Sequence, residues 1–467
     1  MPYRLIFLWT DVLIFLLLAS VVAFALYARR HEHLRVPWRQ VRRRPLAMSA
    51  LVVLSVYVAV GLLDSIHLQR RLEGAATGQA RYAANIESLL DVVCAPLRQR
   101  VEKSYSAPLA MYAFSREMVQ HADGRMSFEY PRLRFGGADL RDPSERGGDL
   151  AGRIGFGLLI ASVTFVLLAS SITLAIARRR NDSVARVAAR LVRGEVETPW
   201  RAILATTGIL LSLGCVALSL AGAYHILGTD QVGQDVFYNS LKSVRTGLVI
   251  GTLTTLVMLP FALAFGVMAG YFRGWVDDVI QYLYTTLSSI PAVLLIAAAI
   301  LSLQVYIATH EESFATVAER ADLRLLFLCL ILGVTSWTSL CRLLRGETLK
   351  LREMNYVQAA TALGVGHVQI MSRHIVPNVM HIVLITIVLD FSGLVLAEAV
   401  LSYVGVGVDP SMNSWGNMIN GARLEMAREP IVWWSLAAAF TFMFGLVLAA
   451  NLFADAVRDA FDPRLRT

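Results

Sequence analysis

The chain reads as an all-α polytopic membrane protein with about nine transmembrane helices, N-terminus outside and C-terminus cytoplasmic. Three observations carry this. Hydrophobic residues make up 56% of 467, and the mean hydropathy is +0.56. Apolar runs of about 20 residues recur, long enough to cross a bilayer. The arginines gather beside those runs, so the net charge of +8 marks topology rather than nucleic-acid binding. A soluble protein is excluded. Of the four cysteines, Cys215, Cys329 and Cys341 lie in apolar runs and only Cys94 in a polar one, so no disulfide framework is indicated.

The first apolar run, Leu5 to Ala28, is too long for a signal-peptide core and lacks a small-residue cleavage site, so it is expected to stay as a span. Arg29 to Arg44 holds seven arginines and one glutamate, which assigns that loop to the cytoplasm. Leu46 to Leu63 returns the chain to the outside, closing a two-helix hairpin over residues 1–63. Residues 64–153 form a polar block of 90 residues, 13 basic against 12 acidic, long enough for a small extracytoplasmic domain. Ile86, Leu89, Leu90 and Val93 fall at helix spacing, so its first half predicts helix; its second half, rich in Gly, Pro and Arg, predicts loop. The block reads equally as a docking or gating cap or as a solvated insertion. Residues 154–201 add a third span, Ile154 to Ala177, and a second basic loop with seven arginines from Arg178 to Arg201. Ala28-Arg29-Arg30 leading to Pro37-Trp38-Arg39 parallels Ala177-Arg178-Arg179 leading to Pro199-Trp200-Arg201. That pattern suits a duplicated hairpin, although arginine and tryptophan favour interfaces without duplication.

A fourth span, Ala202 to Ile226, begins the fourth region, 202–467. A glycine-punctuated acidic loop follows, with Gly228, Thr229, Asp230, Gly233 and Asp235. The fifth span, Leu248 to Ala269, contains Pro260 and should kink there. The sixth runs from Ile290 to Ala308 with Pro291 in its first turn, then an outside loop with Glu311, Glu312 and Glu319, then the seventh from Leu323 to Leu340. Arg342, Arg345, Lys350 and Arg352 place the next stretch, Met354 to Pro377, in the cytoplasm. There Asn355 is placed to cap a helix with Gln358 at its third position, Gly364 to end it in a left-handed residue, and Pro377 to open the eighth span. By itself such a stretch also suits an amphipathic helix resting on headgroups. The eighth span, Val379 to Leu401, carries Asp390 and Glu398. A carboxylate in hydrocarbon faces the bundle interior, a partner or water, so both are candidates for a translocation path or for structural hydrogen bonds. The ninth span is Ile431 to Phe453.

Gln358-Ala359-Ala360, three residues, Gly364, and Pro377 thirteen positions on resemble the EAA loop of permease subunits of binding-protein-dependent ABC importers. Gln358 stands where that family usually has Glu, and His374 where it often has Ile. Leu227-Gly228-Thr229-Asp230 with Gly233 and Asp235 is similar to the loop that opens the core of the dipeptide and oligopeptide (nickel) branch. Gly270-Tyr271-Phe272-Arg273-Gly274-Trp275-Val276-Asp277 is also similar. Ala397-Glu398-Ala399, Leu401-Ser402-Tyr403, Gly405, Gly407, Pro410 and Ser414-Trp415-Gly416-Asn417-Met418 match that branch almost position by position, and the tail from Asp455 to Leu465 resembles its C-terminus. The likeness runs from about Ala202 onward. Pro37 to Leu63, with Arg42-Arg43-Arg44-Pro45-Leu46-Ala47, also resembles the family's first helix, so the second and fourth spans compete for that part.

The resemblance implies a type I importer permease core over 202–467, an ATPase-coupling set of Tyr356, Gln358, Ala359, Ala360, Leu363, Gly364 and Pro377, and an extracytoplasmic gate or binding-protein docking set of Gly228, Thr229, Asp230, Gly233, Asp235, Gly405, Gly407, Pro410, Trp415 and Gly416. It implies a second homologous permease, two ATPase subunits that bind ATP and magnesium, an extracytoplasmic solute-binding protein, and residence in the bacterial inner membrane. No G-x-x-x-x-G-K-[ST] loop occurs in this chain, so ATP would be handled by those partners. The rival is a proton-coupled carrier using Asp390 and Glu398. A metallopeptidase is disfavoured, because His31-Glu32-His33-Leu34-Arg35 and His310-Glu311-Glu312-Ser313-Phe314 lack the second histidine of H-E-x-x-H.

Overall fold

A computed structural model describes residues 3–30, 32–71, 82–121, 126–140, 142–310, 312, 314 and 316–461. Strand β1 (Tyr3–Ile6) leads into α1 (Trp9–Arg30), α2 (Glu32–Arg43) and α3 (Pro45–Asp64). The polar block holds β2 (His67–Arg71), β3 (Tyr82–Ser88), α4 (Leu89–Val93), α5 (Ala95–Arg98), β4 (Glu117–Gln120) and β5 (Met126–Glu129). Next come α6 (Arg146–Arg180), α7 (Val184–Arg193), α8 (Trp200–Ala221), α9 (Val236–Phe272), α10 (Gly274–Ser289), α11 (Ala292–Thr309) and α12 (Val317–Arg352). The last described elements are α13 (Asn355–Ala362), α14 (His367–Ile370), α15 (Val376–Tyr403), α16 (Trp415–Glu425) and α17 (Trp434–Phe461). Among the described residues nine helical segments are long and apolar enough to cross a membrane, as the hydropathy pattern predicts.

Helix ends shift from their expected places: α9 and α12 start earlier, because capped helices continue into polar sequence, while α1 and α17 start later, at Trp9 and Trp434, and α8 ends earlier, at Ala221. Helix α9 starts at Val236 rather than Leu248, behind Asp235, whose carboxylate accepts the Tyr238 N–H at 3.1 Å. Helix α12 starts at Val317, so Glu319 lies in its first turn rather than in a loop, and Thr316 caps it. The two basic loops are themselves partly helical. Helix α2 buries Val41 and sets Trp38 edge-on to Phe461 at 5.7 Å, and α7 buries Val187 and Leu191 against Ala177. Glu197 ties the two basic segments together, accepting from Arg39 at 2.5 Å and Arg43 at 2.9 Å.

The polar block departs furthest from expectation. Ile86 lies in β3, not in a helix, and Leu5 and Ile6 leave the first span to form β1. Strands β1, β2 and β3 make one antiparallel sheet, with Tyr3 opposite Arg70 and Leu68 opposite Glu87, and β4 and β5 form a hairpin where loop was expected. Local periodicity cannot register a partner strand about 60 residues away in the chain, and pairing, not propensity, settles such short strands. The helix that does form, α4, has a capping box between Ser88 and Asp91. Residues 72–81, 122–125 and 141 of the block, Glu311, and the tail beyond Phe461 lie outside the described residues.

The core centres on α9 and α12. A Cβ at Gly266 would stand 2.8 Å from the Cys341 carbonyl oxygen, and one at Gly333 2.6 Å from Val257 Cβ, so only glycine permits this approach. Helix α3 contributes Leu54, Tyr57 and Val60 to the cluster of Val244, Trp415, Ala439 and Met443, and the Tyr57 hydroxyl donates to the Phe442 carbonyl at 2.8 Å. Helix α8 packs instead on α6, where a Cβ at Gly157 would lie 2.8 Å from Val216 Cα.

Candidate functional site

At one end of the bundle α13 and α14 form a tight helical turn. Helix α13 ends as the sequence suggests: Gly364 has φ +78°, its N–H donates to the Thr361 carbonyl at 3.0 Å, and the Val365 N–H donates to the Ala360 carbonyl at 3.1 Å. Those paired bonds are a Schellman motif. The N-terminus does not follow expectation. Met354, not Asn355, is the cap residue, without a side-chain bond, and Gln358 instead donates to the Glu353 carbonyl at 3.3 Å. Asn355 already has helical geometry, so its side chain cannot reach forward to an orphan N–H.

The turn has two faces. Val357 and Ala360 are buried in the central cluster with Met258, Val267, Trp337 and Leu340, and Ile370 and Ile375 join them. Tyr356, Gln358, Ala359, Gly364 and Pro377 are exposed, and Leu363 is 83% exposed. Val368 is exposed as well, so the turn presents several large apolar side chains to its surroundings. The turn is braced against α9: the Tyr271 hydroxyl lies 2.9 Å from His367 Nδ1, and Arg352 donates to the Tyr271 carbonyl at 2.8 Å. Arg273 pairs with Glu353 at 2.5 Å, and Arg345 grips Asp277 through two bonds of 2.6 and 2.7 Å. The hydrogen bond and charge of Arg345 hold the Asp277 carboxyl below its usual range.

At the opposite end the 227–236 loop is covered by the polar block. Gly228, Thr229, Gly233 and Asp235 are buried and Asp230 is partly accessible, while the neighbouring Gln231, Val232 and Gln234 are exposed. A Cβ at Gly233 would stand 1.9 Å from the Glu102 carbonyl oxygen. Thr229 Oγ1 donates to the Ser104 carbonyl at 2.8 Å and accepts the Ser106 N–H at 2.7 Å, and Trp434 Nε1 donates to the Thr229 carbonyl at 2.9 Å. His225 is the centre of the clamp, with Nδ1 2.8 Å from Asp235 and Nε2 3.6 Å from Glu102. Burial opposes its charge, but hydrogen bonds and charges from Asp235 and Glu102 prevail and raise its pKa to about 9. Gly407, Trp415 and Gly416 are also interior, with Trp415 Nε1 donating to the Ser240 carbonyl at 3.1 Å. Buried residues cannot touch a docked protein in this conformation. As a docking surface the expected set reduces to Gly405, Pro410 and part of Asp230, and the others shape the loops that carry them.

Glu398 is 2% exposed and accepts from Ser402 Oγ at 2.7 Å, and a Cβ at Gly416 would stand 2.9 Å from its Oε1. It is enclosed between α15 and α16. Asp390 is half-buried on α15. A larger charged constellation went unforeseen. Arg245 Nη2 donates to Asp11 at 2.6 Å and Thr10 at 2.9 Å and lies 3.5 Å from Asp322, while His67 Nδ1 lies 2.7 Å from Asp11. Thr10 Oγ1 also bonds Asp322. Asp11, Arg245 and Asp322 all stand inside or beside apolar runs, and that signal, applied above only to Asp390 and Glu398, finds them.

The profile of the family described as "binding-protein-dependent transport system inner membrane component" matches residues 262–467. A glutathione transport system permease protein of Pectobacterium atrosepticum is 31% identical over 245 residues, 52% of this chain and 74% of that protein. An oligopeptide transport system permease protein of Mycobacterium tuberculosis is 30% identical over 246 residues, 53% of this chain and 78% of that protein, and one of Bacillus subtilis is 27% identical over 242 residues. Among solved structures, a chain of an inward-facing methionine ABC transporter aligns with TM-score 0.37 at 14% identity, over 48% of this chain and 97% of that chain.

Proposed function

This chain belongs to the binding-protein-dependent transport system inner membrane components, and from that membership we propose that it is one permease subunit of an ATP-driven importer of peptides working by alternating access. The relatives named as glutathione and oligopeptide permeases support the substrate class. The observation that carries the mechanism is the two-faced turn at α13: Leu363, Gly364 and Tyr356 stand exposed while Val357 and Ala360 root the same helix among the residues of α9 and α12. A partner that grips the exposed face therefore moves the core, because packed interiors transmit displacement.

The partners follow from this assignment. Two ATPase subunits hold ATP and magnesium and seat α13 in a cleft, a second homologous permease completes the pathway, and a peptide-loaded binding protein docks at the other end. That end is extracytoplasmic, with the α13 turn, the N-cap side of α2 and the arginine-rich segments in the cytoplasm. Asp390 is the carboxylate offered to the path. The core consists of α3 with α9 to α17, α3 rather than α8 filling the position of the first core helix, because α3 shares the cluster of Val244, Trp415 and Met443. The polar block is a cap locked over the 227–236 loop, so the binding protein meets it together with Gly405 and Pro410. A proton-coupled carrier gains no support from Glu398, which is enclosed.

The test replaces Gly364. Space is open around it, with nothing within 4 Å of an added Cβ, so Gly364→Val strains the backbone without a clash. A left-handed non-glycine residue costs about 1–2 kcal/mol, and a β-branched one more. The expected outcome is a folded chain whose complex hydrolyses ATP without peptide uptake. Unchanged uptake refutes the coupling assignment.

A further inference from the structure

The N-terminal half carries two helices of one design. Helix α2 joins span α1 to span α3, helix α7 joins α6 to α8, and each turns its apolar side inward: Val41 of α2 is 2% exposed, and Val187 and Leu191 of α7 are 3% and 5% exposed. Glu197, just past α7, accepts from Arg39 and Arg43 of α2 and joins the two into one surface. That surface lies at the α13 end of the bundle. Gly61 meets Leu248 and Asp64 lies 3.8 Å from Lys242, so α3 runs antiparallel to α9. The start of α3, where α2 ends, therefore lies toward the end of α9 that braces the α13 turn.

Charge on this surface is one-sided. Residues 29–44 and 178–201 hold fourteen arginines against four acidic residues. Glu197, Asp182 and Asp459 pair with Arg39, Arg43, Arg44, Arg186 and Arg190. Arg29, Arg30, Arg178, Arg179, Arg180 and Arg201 are exposed and form no ion pair among the described residues. All six stand in the last turns of α1 and α6 or the first turn of α8, within about 5 Å of where each span ends. The spans themselves are open to their surroundings: Leu26 of α1 is 55% exposed, and Leu167 of α6 and Leu213 of α8 are each 64% exposed. The guanidinium groups at their ends therefore lie at headgroup level.

We propose that the arginine surface of α2, α7 and the span ends they join binds anionic phospholipids of the leaflet on the α13 side, the inner leaflet in the orientation given above. The phosphodiester oxygens accept from guanidinium groups that no described carboxylate engages, in the planar two-bond geometry that arginine offers. The acyl chains run along the exposed sides of α1, α6 and α8. A zwitterionic headgroup would bring its own ammonium into this field of cations. A soluble polyanion would need arginines that project past the headgroups, whereas these six sit at the ends of spans. Topology needs the arginines during insertion, but the binding is a property of the folded chain. Bound lipid bridges the α1–α3 and α6–α8 hairpins, both outside the region matched to the family, and reaches the core through α3.

The test is native mass spectrometry of the full chain in mild detergent, with phosphatidylglycerol, phosphatidylethanolamine and tail-free glycerophosphoglycerol as probes. Phosphatidylglycerol should be retained about tenfold better than phosphatidylethanolamine, and the preference should weaken as salt rises. Glycerophosphoglycerol should not displace it. Replacing Arg178, Arg179 and Arg180 together by glutamine should bring the preference close to parity with an unchanged melting temperature, because each basic residue near an anionic bilayer surface adds roughly fivefold. Replacing the same three by lysine should keep most of it. Equal retention of the two lipids by the unaltered chain overturns the proposal, and so does an unchanged preference in the folded glutamine variant. Displacement by the tail-free headgroup marks a site for free anions and overturns the lipid assignment. If the glutamine variant unfolds, the three-probe comparison on the unaltered chain decides by the same criteria.

Discussion

His225 shows how one side chain can make a junction depend on pH. It joins the polar block to the first turn of α9 through Asp235 and Glu102. Its pKa stands at about 9, above the ordinary 6.5, so its contribution is fully present below about pH 6.5 and fades as pH rises through 9. Burial raises the Glu102 pKa, but the His225 bond and the Arg134 and Phe135 N–H groups outweigh it and leave the carboxyl below its ordinary range. That contribution is present above about pH 4.5 and is lost as pH falls through the lowered value. The clamp is therefore firmest between about pH 4.5 and 6.5. The His225 share is on the order of 3 kcal/mol. Amide hydrogen exchange at Ser104 to Ser106 should accelerate as pH climbs past 9 beyond the intrinsic rate. His225→Gln should flatten that dependence. A pH profile identical to that of the unaltered chain would refute the clamp.

Among the elements, the α13–α14 turn is the one whose placement matters most, and it is held by few contacts. Ile370 is fully buried where α14 passes through a π-helical turn, Met371–Ile375, into α15. Ile370→Ala should cost about 2–5 kcal/mol of local stability. Because α13 shares that cluster, the exposed face around Leu363 should loosen with it. The expected result is faster exchange across residues 355–370 and a lower ratio of uptake to ATP hydrolysis, with the nine spans still inserted. Unaltered exchange there would show that the turn is anchored from elsewhere, through Tyr271 and His367.

Across the assembled chain, the division of labour between the two halves is testable by truncation. A chain begun at Ala202 keeps the importer-like motifs from Leu227 onward and yet loses α1, α2, α3 and the block that covers Gly233. With Leu54, Tyr57 and Val60 gone, the cluster around Trp415 and Met443 is opened to lipid and the Phe442 carbonyl loses its donor. Such a chain should aggregate on size-exclusion chromatography in detergent. A chain that instead lacks α6 to α8, with the end of the polar block at Leu140 joined to Tyr224 by a flexible linker so that the 227–236 loop is kept, should remain monodisperse, because those helices pack chiefly on one another. The reverse result would return the first core position to α8.

Number and approximate placement of the spans were readable from the residues, since hydrocarbon demands a continuous apolar run wherever a helix crosses it. The left-handed end at Gly364 was equally readable, because local backbone chemistry at a helix C-terminus needs no distant partner. The same holds for the chain segments around Gln358, Glu398 and Trp415, whose order and spacing resemble a known family. Pairing across the chain was not readable. Nothing local in Tyr3 to Ile6 announces a strand opposite His67 to Arg71, nothing in Glu102 announces His225, and nothing in Asp11 announces Arg245 some 234 residues on. Such bonds form only after the helices are packed, so burial, not sequence order, made Gly233, Asp235 and Trp415 interior, left Leu363 exposed, and brought α3 rather than α8 against the core.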